Sequence, residues 1–135
     1  MTELKITYKI NVPLNIDTII EIYNNSGLHR PTQDKQRITK MFQHSNLVVS
    51  AWMENTLVGI ARSLTDFSFC CYLSDLAVKK EFQKKGIGKE LIRITKEHVG
   101  EHSMLLLLSV PTAMEYYSKI GMQKTENGFI INRTK

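Results

Sequence analysis

Long apolar runs are missing from this 135-residue chain. No stretch approaches the roughly 18 apolar residues that a membrane-spanning helix needs, so no membrane partner is expected. Cysteine is scarce: Cys70 and Cys71 are the only two, and adjacent thiols cannot staple distant parts of a chain. Met1-Thr2-Glu3-Leu4-Lys5 alternates polar and apolar residues, without the apolar core of a signal peptide. A reducing, cytoplasmic location is the expectation. Three prolines and seven glycines form no linker, and no repeat or low-complexity tract interrupts the chain. Residues 1–135 therefore read as one domain, long enough to bury a core without staples.

Charge is present but uneven. The chain carries 18 Lys and Arg against 13 Asp and Glu, a net of +5. Five lysines (Lys79, Lys80, Lys84, Lys85 and Lys89) against the single Glu81 place most of that excess in one short stretch. A nucleic-acid binder usually shows a longer basic stripe with Arg and aromatics interleaved, so no nucleic-acid partner is expected.

Hydrophobic periodicity divides the chain into elements. Leu4, Ile6, Tyr8, Ile10 and Val12 alternate as a half-buried first strand does. Ile16, Ile19, Ile20 and Tyr23 recur at helical spacing, with Gly27 as a C-cap. Thr32 predicts the N-cap of a second helix running to about His44, with Ile38, Met41 and Phe42 on its apolar face. Leu47–Met53 and Leu57–Leu64 read as strands joined by a tight turn, and the apolar-dense segment Cys71–Val78 as a central strand. A helix follows on Ile87, Leu91, Ile94 and His98, closed by Gly100. Met104–Leu108 suits a buried strand, and Thr112 with Glu115 predicts a capping box opening a short helix that ends at Gly121. Met122–Glu126 and Phe129–Asn132 flank Asn127-Gly128, a hairpin signal. The order βααβββαβαββ implies a mixed α/β sheet.

Chemistry concentrates between Leu73 and Leu91. A buried strand there enters a glycine-punctuated turn, and a helix begins at once. Free amides and the positive dipole end of a helix N-terminus attract anions. Gly86 and Gly88 let a phosphate approach the backbone, and Lys84, Lys85 and Lys89 add charge at the same point. A P-loop is excluded because Gln83 and Glu90 stand where Gly and Ser or Thr are required. A dinucleotide fingerprint is excluded because Leu91 stands where a third small residue belongs.

Gln83-Lys84-Lys85-Gly86-Ile87-Gly88 matches in full the Gln/Arg-x-x-Gly-x-Gly/Ala signature of the GNAT superfamily of acyl-CoA-dependent N-acyltransferases. Leu73-Ser74-Asp75-Leu76-Ala77-Val78 resembles that family's central strand. Ala113-Met114-Glu115-Tyr116-Tyr117-Ser118-Lys119-Ile120-Gly121-Met122 resembles its A-x-x-F-Y-x-K-x-G-F motif, with Tyr116 and Met122 in place of Phe. Pro111 precedes that motif where a polar residue is frequent. The resemblance covers nearly the whole chain and is nearest to the small single-domain bacterial members.

The resemblance implies a GNAT-type mixed, mostly antiparallel sheet with helices on both faces. It implies an N-acetyltransferase moving an acetyl group from acetyl-CoA to a primary amine, small or on a peptide, by direct attack and without a metal. Backbone groups of Leu76, Ala77 and Val78 would pair with the pantetheine arm. Amides of Gln83, Lys84, Lys85, Gly86, Ile87, Gly88 and Lys89 would hold the pyrophosphate, and Tyr117 would protonate the departing thiolate. The implied assembly includes a homodimer. A CoA-responsive binding module without catalysis is the competing reading.

Other residues carry less. Asp75 is a general base or, preferably, a hydrogen-bond anchor. His98 and His102 are separated by Gly100 and lack a third ligand, so no zinc site is expected. Cys70 and Cys71 read as packing at a strand end, and Trp52 as core in preference to an acceptor wall. The acceptor segments, 16–44 and the terminal hairpin, hold His29, Arg30, Asp34 and Arg37, a mixture that names no substrate.

Overall fold

The computed structural model describes residues 5–135, so Leu4 of the expected first strand lies outside the described residues. The elements are β1 (Ile6–Ile10), α1 (Ile16–Ser26), α2 (Lys35–Gln43), β2 (Leu47–Met53), β3 (Thr56–Thr65), β4 (Cys70–Val78), α3 (Ile87–Val99), β5 (Met104–Leu106) and α4 (Met114–Lys119). The five strands lie in the order β1-β2-β3-β4-β5, antiparallel except for the parallel β4–β5 pair. The mixed, mostly antiparallel sheet with helices on both faces is as the sequence implies.

Each face has its own core. Ile19, Ile22 and Tyr23 of α1 and Ile38 of α2 bury themselves against Val48, Leu57, Ile60 and Ala77 on one side. On the other side, Ile87, Leu91, Ile92 and Val99 of α3 pack on Leu47, Val49, Val58, Ala61, Cys71 and Leu73. Each such aliphatic side chain contributes about 1.5–3 kcal/mol on full burial.

Local chemistry sets the element ends. Asn11, at φ 55, ends β1 before Val12, and its side chain accepts from the Val48 amide at 2.8 Å. Asn15 caps α1 by accepting from the Thr18 amide, and Gly27 closes it at φ 87. Asp34, not Thr32, caps α2: its carboxylate accepts from Arg37 N–H at 3.0 Å, while the Thr32 hydroxyl donates to Asn24. The expected capping box at Thr112 does not form either. Pro111–Ala113 is a 3-10 turn, so α4 starts at Met114 without a side-chain cap.

The expected order ends wrongly in one place. Among the described residues no strand follows α4, and the two strands predicted over 122–126 and 129–132 are irregular chain. An isolated hairpin is marginal without a sheet to join. Here β5 is only three residues long, and Phe129 and Ile131 are fully exposed with no apolar surface to cover.

One irregularity positions the site. Arg62 pairs with Asp75, yet Ser63 pairs with Leu73, so Ser74 is the extra residue of a β-bulge. In a regular strand Leu73 and Asp75 would share a face. The bulge changes that: Leu73 packs on the α3 side, whereas Asp75 meets Tyr23 of α1.

Candidate functional site

Beside the bulge, β4 parts from β5. The parallel pairing covers only Cys70 to Tyr72, so the edge from Leu73 to Val78 has no strand beside it among the described residues. In an antiparallel pair alternate residues aim their N–H and C=O away from the partner, so Leu76, Ala77 and Val78 present backbone groups on an open edge.

The edge leads into the glycine turn. Lys80–Phe82 make a 3-10 turn, Lys84 and Gly86 adopt left-handed φ of 63 and 85, and α3 begins at Ile87. The first helical bond runs from Glu90 N–H to Gly86 C=O at 3.0 Å, which leaves the amides of Ile87, Gly88 and Lys89 ahead of it. Gln83 does something different from its neighbours. Its amide donates to Lys80 C=O, and its side chain donates to Val78 C=O at 2.8 Å. It therefore struts the turn against the end of β4, and the amides free for an anion start at Lys84. Lys84, Lys85 and Lys89 are exposed, and none has a carboxylate within ion-pair range among the described residues. Glu90, the nearest acid in α3, is held by Arg93.

Two tyrosines approach from α4. A Cβ on Gly88 would lie 2.7 Å from Tyr116 Oη and 3.8 Å from Leu76 Cδ2, so Tyr116, the turn and the open edge of β4 converge. Tyr117 packs against the α3-side core, its ring edge-on to Tyr116 with centroids 5.1 Å apart. Burial, and then the charge of Tyr116, raise the Tyr117 phenol above its ordinary range, so it remains a proton donor at neutral pH. The structure thus brings Tyr116 to the turn, a residue the sequence treated as a simple replacement for Phe.

Asp75 is fully buried at the centre of a polar cluster. Its Oδ1 accepts from Arg30 Nε at 2.6 Å, and its Oδ2 accepts from Arg62 Nε and from Tyr23 Oη at 2.9 Å. Burial alone would push this carboxyl up. Hydrogen bonds and charge from Arg62, then Arg30, outweigh it and hold the carboxyl below the usual range. Both oxygens are engaged, so Asp75 anchors Arg30 of the α1–α2 loop and Arg62 to the bulge. Arg62, Arg30 and Tyr23 carry no motif that marks them, since only the bulge turns Asp75 toward them.

The weaker candidates resolve simply. Burial raises the Cys71 thiol, and desolvation with the nearby Asp66 charge raises that of exposed Cys70, so neither is a poised nucleophile. Trp52 packs beside the α1–α2 core, donates to Ser50 Oγ at 2.8 Å and carries Lys9 over its ring.

Comparison with known proteins decides the family. Residues 21–133 match the acetyltransferase (GNAT) domain. The chain belongs to the GNAT acetyltransferase family. It is 27% identical over 133 residues to an uncharacterized N-acetyltransferase, ycf52, of Porphyra purpurea, covering 93% of this chain and 75% of that protein. Its fold superposes with a TM-score of 0.80 on a Staphylococcus aureus protein named as a probable acetyltransferase, at 18% identity, over 96% of this chain and 100% of that one. The aminoglycoside N-acetyltransferase AAC(6')-Iy, solved in complex with CoA, superposes at 0.71 and 12% identity, over 97% and 96% of the two chains. This GNAT domain thus combines an open central strand, a glycine turn rich in unpaired lysines, and a tyrosine pair closing the groove between them.

Proposed function

We propose that this GNAT domain is an acetyl-CoA-dependent N-acetyltransferase that passes the acetyl group directly to a primary amine, small or on a peptide, in the cytoplasm. The observation that carries this reading is the continuity of the open β4 edge with a turn whose lysines lack partners. Polyanionic phosphates suit the turn, and an amide-bearing arm suits the edge as an added strand.

Leu76, Ala77 and Val78 would align the arm. The amides from Lys84 to Lys89 would hold the pyrophosphate, Gly88 leaving room because it has no Cβ. Acetyl-CoA supplies the acetyl group already activated as a thioester. The open amides of β4 near the bulge would polarise its carbonyl. The amine nitrogen forms the new bond to the acetyl carbon as the carbon–sulfur bond breaks. Water or a base takes the amine proton, and Tyr117 gives its phenolic proton to the sulfur. No acyl-enzyme is required, in keeping with the raised thiols of Cys70 and Cys71.

Incubation with acetyl-CoA and a panel of primary amines, followed by mass spectrometry, tests the reading. At least one amine is expected to emerge N-acetylated. Unmodified amines throughout, from a protein that still binds acetyl-CoA, would leave a binding module instead.

A further inference from the structure

On the α1–α2 side of the sheet, a cavity of about 420 Å³ is lined by Arg37, Lys40, Met41 and His44 of α2 and by Arg62 and Leu64 of β3. The α2 members recur at three- and four-residue steps and so form one stripe, while Arg62 and Leu64 share a face of β3. The helix has no carboxylate between Lys35 and Gln43. None of the ion pairs among the described residues includes Arg37, Lys40 or His44.

Charge behind the cavity adds to the imbalance. Arg62, its side chain only 8% exposed, and Arg30 share the single carboxylate of Asp75, so the buried cluster keeps a surplus positive charge. Like charges on one helix stripe are destabilising unless an anion comes between them. A concave wall of one sign concentrates its field on whatever enters.

The cavity also lies next to the proposed reaction edge. Arg62 Nη2 donates to Ser74 Oγ at 3.0 Å, and Ser74 is the bulge residue where β4 leaves β5. Adjacent strands stand about 4.8 Å apart, which puts the cavity one or two strand spacings, roughly 5–10 Å, from the open edge.

We propose that this cavity takes the carboxylate end of the acceptor, so that the acceptor class is a primary amine joined to a carboxylate by a short alkyl spacer. The proposal rests on the acetyl-transfer reading above. Arg37 and Lys40 hold the carboxylate, Met41 and Leu64 flank the spacer, and the amine reaches the β4 edge.

The test compares ε-aminohexanoate with hexylamine, which differ in the carboxylate alone. In wild type, ε-aminohexanoate is expected to exceed hexylamine in kcat/KM by about tenfold or more, the weight of one charge-assisted contact. Replacing Arg37→Gln and Lys40→Gln together should bring the ratio near one, whereas Lys124→Gln, a matched loss of charge elsewhere, should preserve it. An equal rate on both amines in wild type, or a ratio unchanged in the double variant, overturns the proposal. Calorimetric titration of ε-aminohexanoate in the presence of CoA gives a readout that needs no turnover. If neither amine is acetylated, the acetyl-transfer reading fails, yet binding that the double variant loses still upholds the pocket. Absence of binding to wild type overturns it.

Discussion

Tyr116 and Gly88 meet at one point: a Cβ on Gly88 would stand 2.7 Å from the Tyr116 hydroxyl but 3.6 Å from Cζ of the same ring. The first distance requires movement, and the second is ordinary contact. The missing side chain of Gly88 therefore serves both the phenol of α4 and the approach of a phosphate to the turn.

Gly88→Ala separates these effects. Alanine favours the helix by up to about 1 kcal/mol over glycine, and displacement of Tyr116 opposes that gain. Adding Tyr116→Phe removes the clashing oxygen, so the double variant should melt at a higher temperature than Gly88→Ala alone. Affinity for acetyl-CoA, by calorimetry, should stay reduced in both, by about tenfold or more, equivalent to one lost charge-assisted hydrogen bond. Normal affinity would place the pyrophosphate elsewhere.

The turn's lysines give a second outcome. Exposed charges are screened over about 8 Å at physiological ionic strength, so acetyl-CoA affinity should fall as salt rises. Lys84, Lys85 and Lys89 replaced together by Gln should weaken binding and flatten the salt dependence. A salt profile unchanged in that variant would show that the cluster does not face the cofactor.

Asp75 governs stability and its acid limb. Its carboxyl is lowered in the folded protein, so the stabilisation it brings is complete above the unfolded value of about 4 and is lost as pH falls through the lower folded value. Asp75→Asn leaves Arg62 and Arg30 without their carboxylate, a loss of about 3–5 kcal/mol for a broken buried pair. Denaturant melts from neutral pH downward should show wild type approaching the variant only in acid. Parallel curves at every pH would contradict the assignment.

Much of this was legible in the chain itself. Periodicity located β2, α1 and α3 closely, because Ile16, Ile19, Tyr23, Ile87 and Leu91 each bury one helical face. The glycine turn could be read because strand, glycines, lysines and helix fall in sequence. The bulge at Ser74 could not, since no glycine or proline marks it, and with it went the pairing of Asp75 with Tyr23 and Arg62. Asn127-Gly128 pointed to a hairpin that has no sheet edge to join. Local turn chemistry proposes a pairing, and only a partner strand can fix it.

Tyr117→Phe keeps the buried ring and removes the hydroxyl. Because burial raises its pKa, this phenol stays protonated past its ordinary range of about 10, and its titration should not limit activity near neutrality. Loss of a positioned acid costs on the order of 10²–10⁴ in rate, falling on kcat and kcat/KM together. Tyr116→Phe should leave kcat within a few-fold of wild type. If Tyr117→Phe turns over normally, water protonates the thiolate.

Acetyl transfer itself is tested most directly by following free thiol released from acetyl-CoA with and without a primary amine, alongside the acetylated amine formed. Thiol release that depends on the amine, with one acetylated amine appearing for each thiol, is the expected result. Thiol release that no amine accelerates, or a melting temperature raised by acetyl-CoA with no release at all, would contradict an N-acetyltransferase and leave a CoA-binding module.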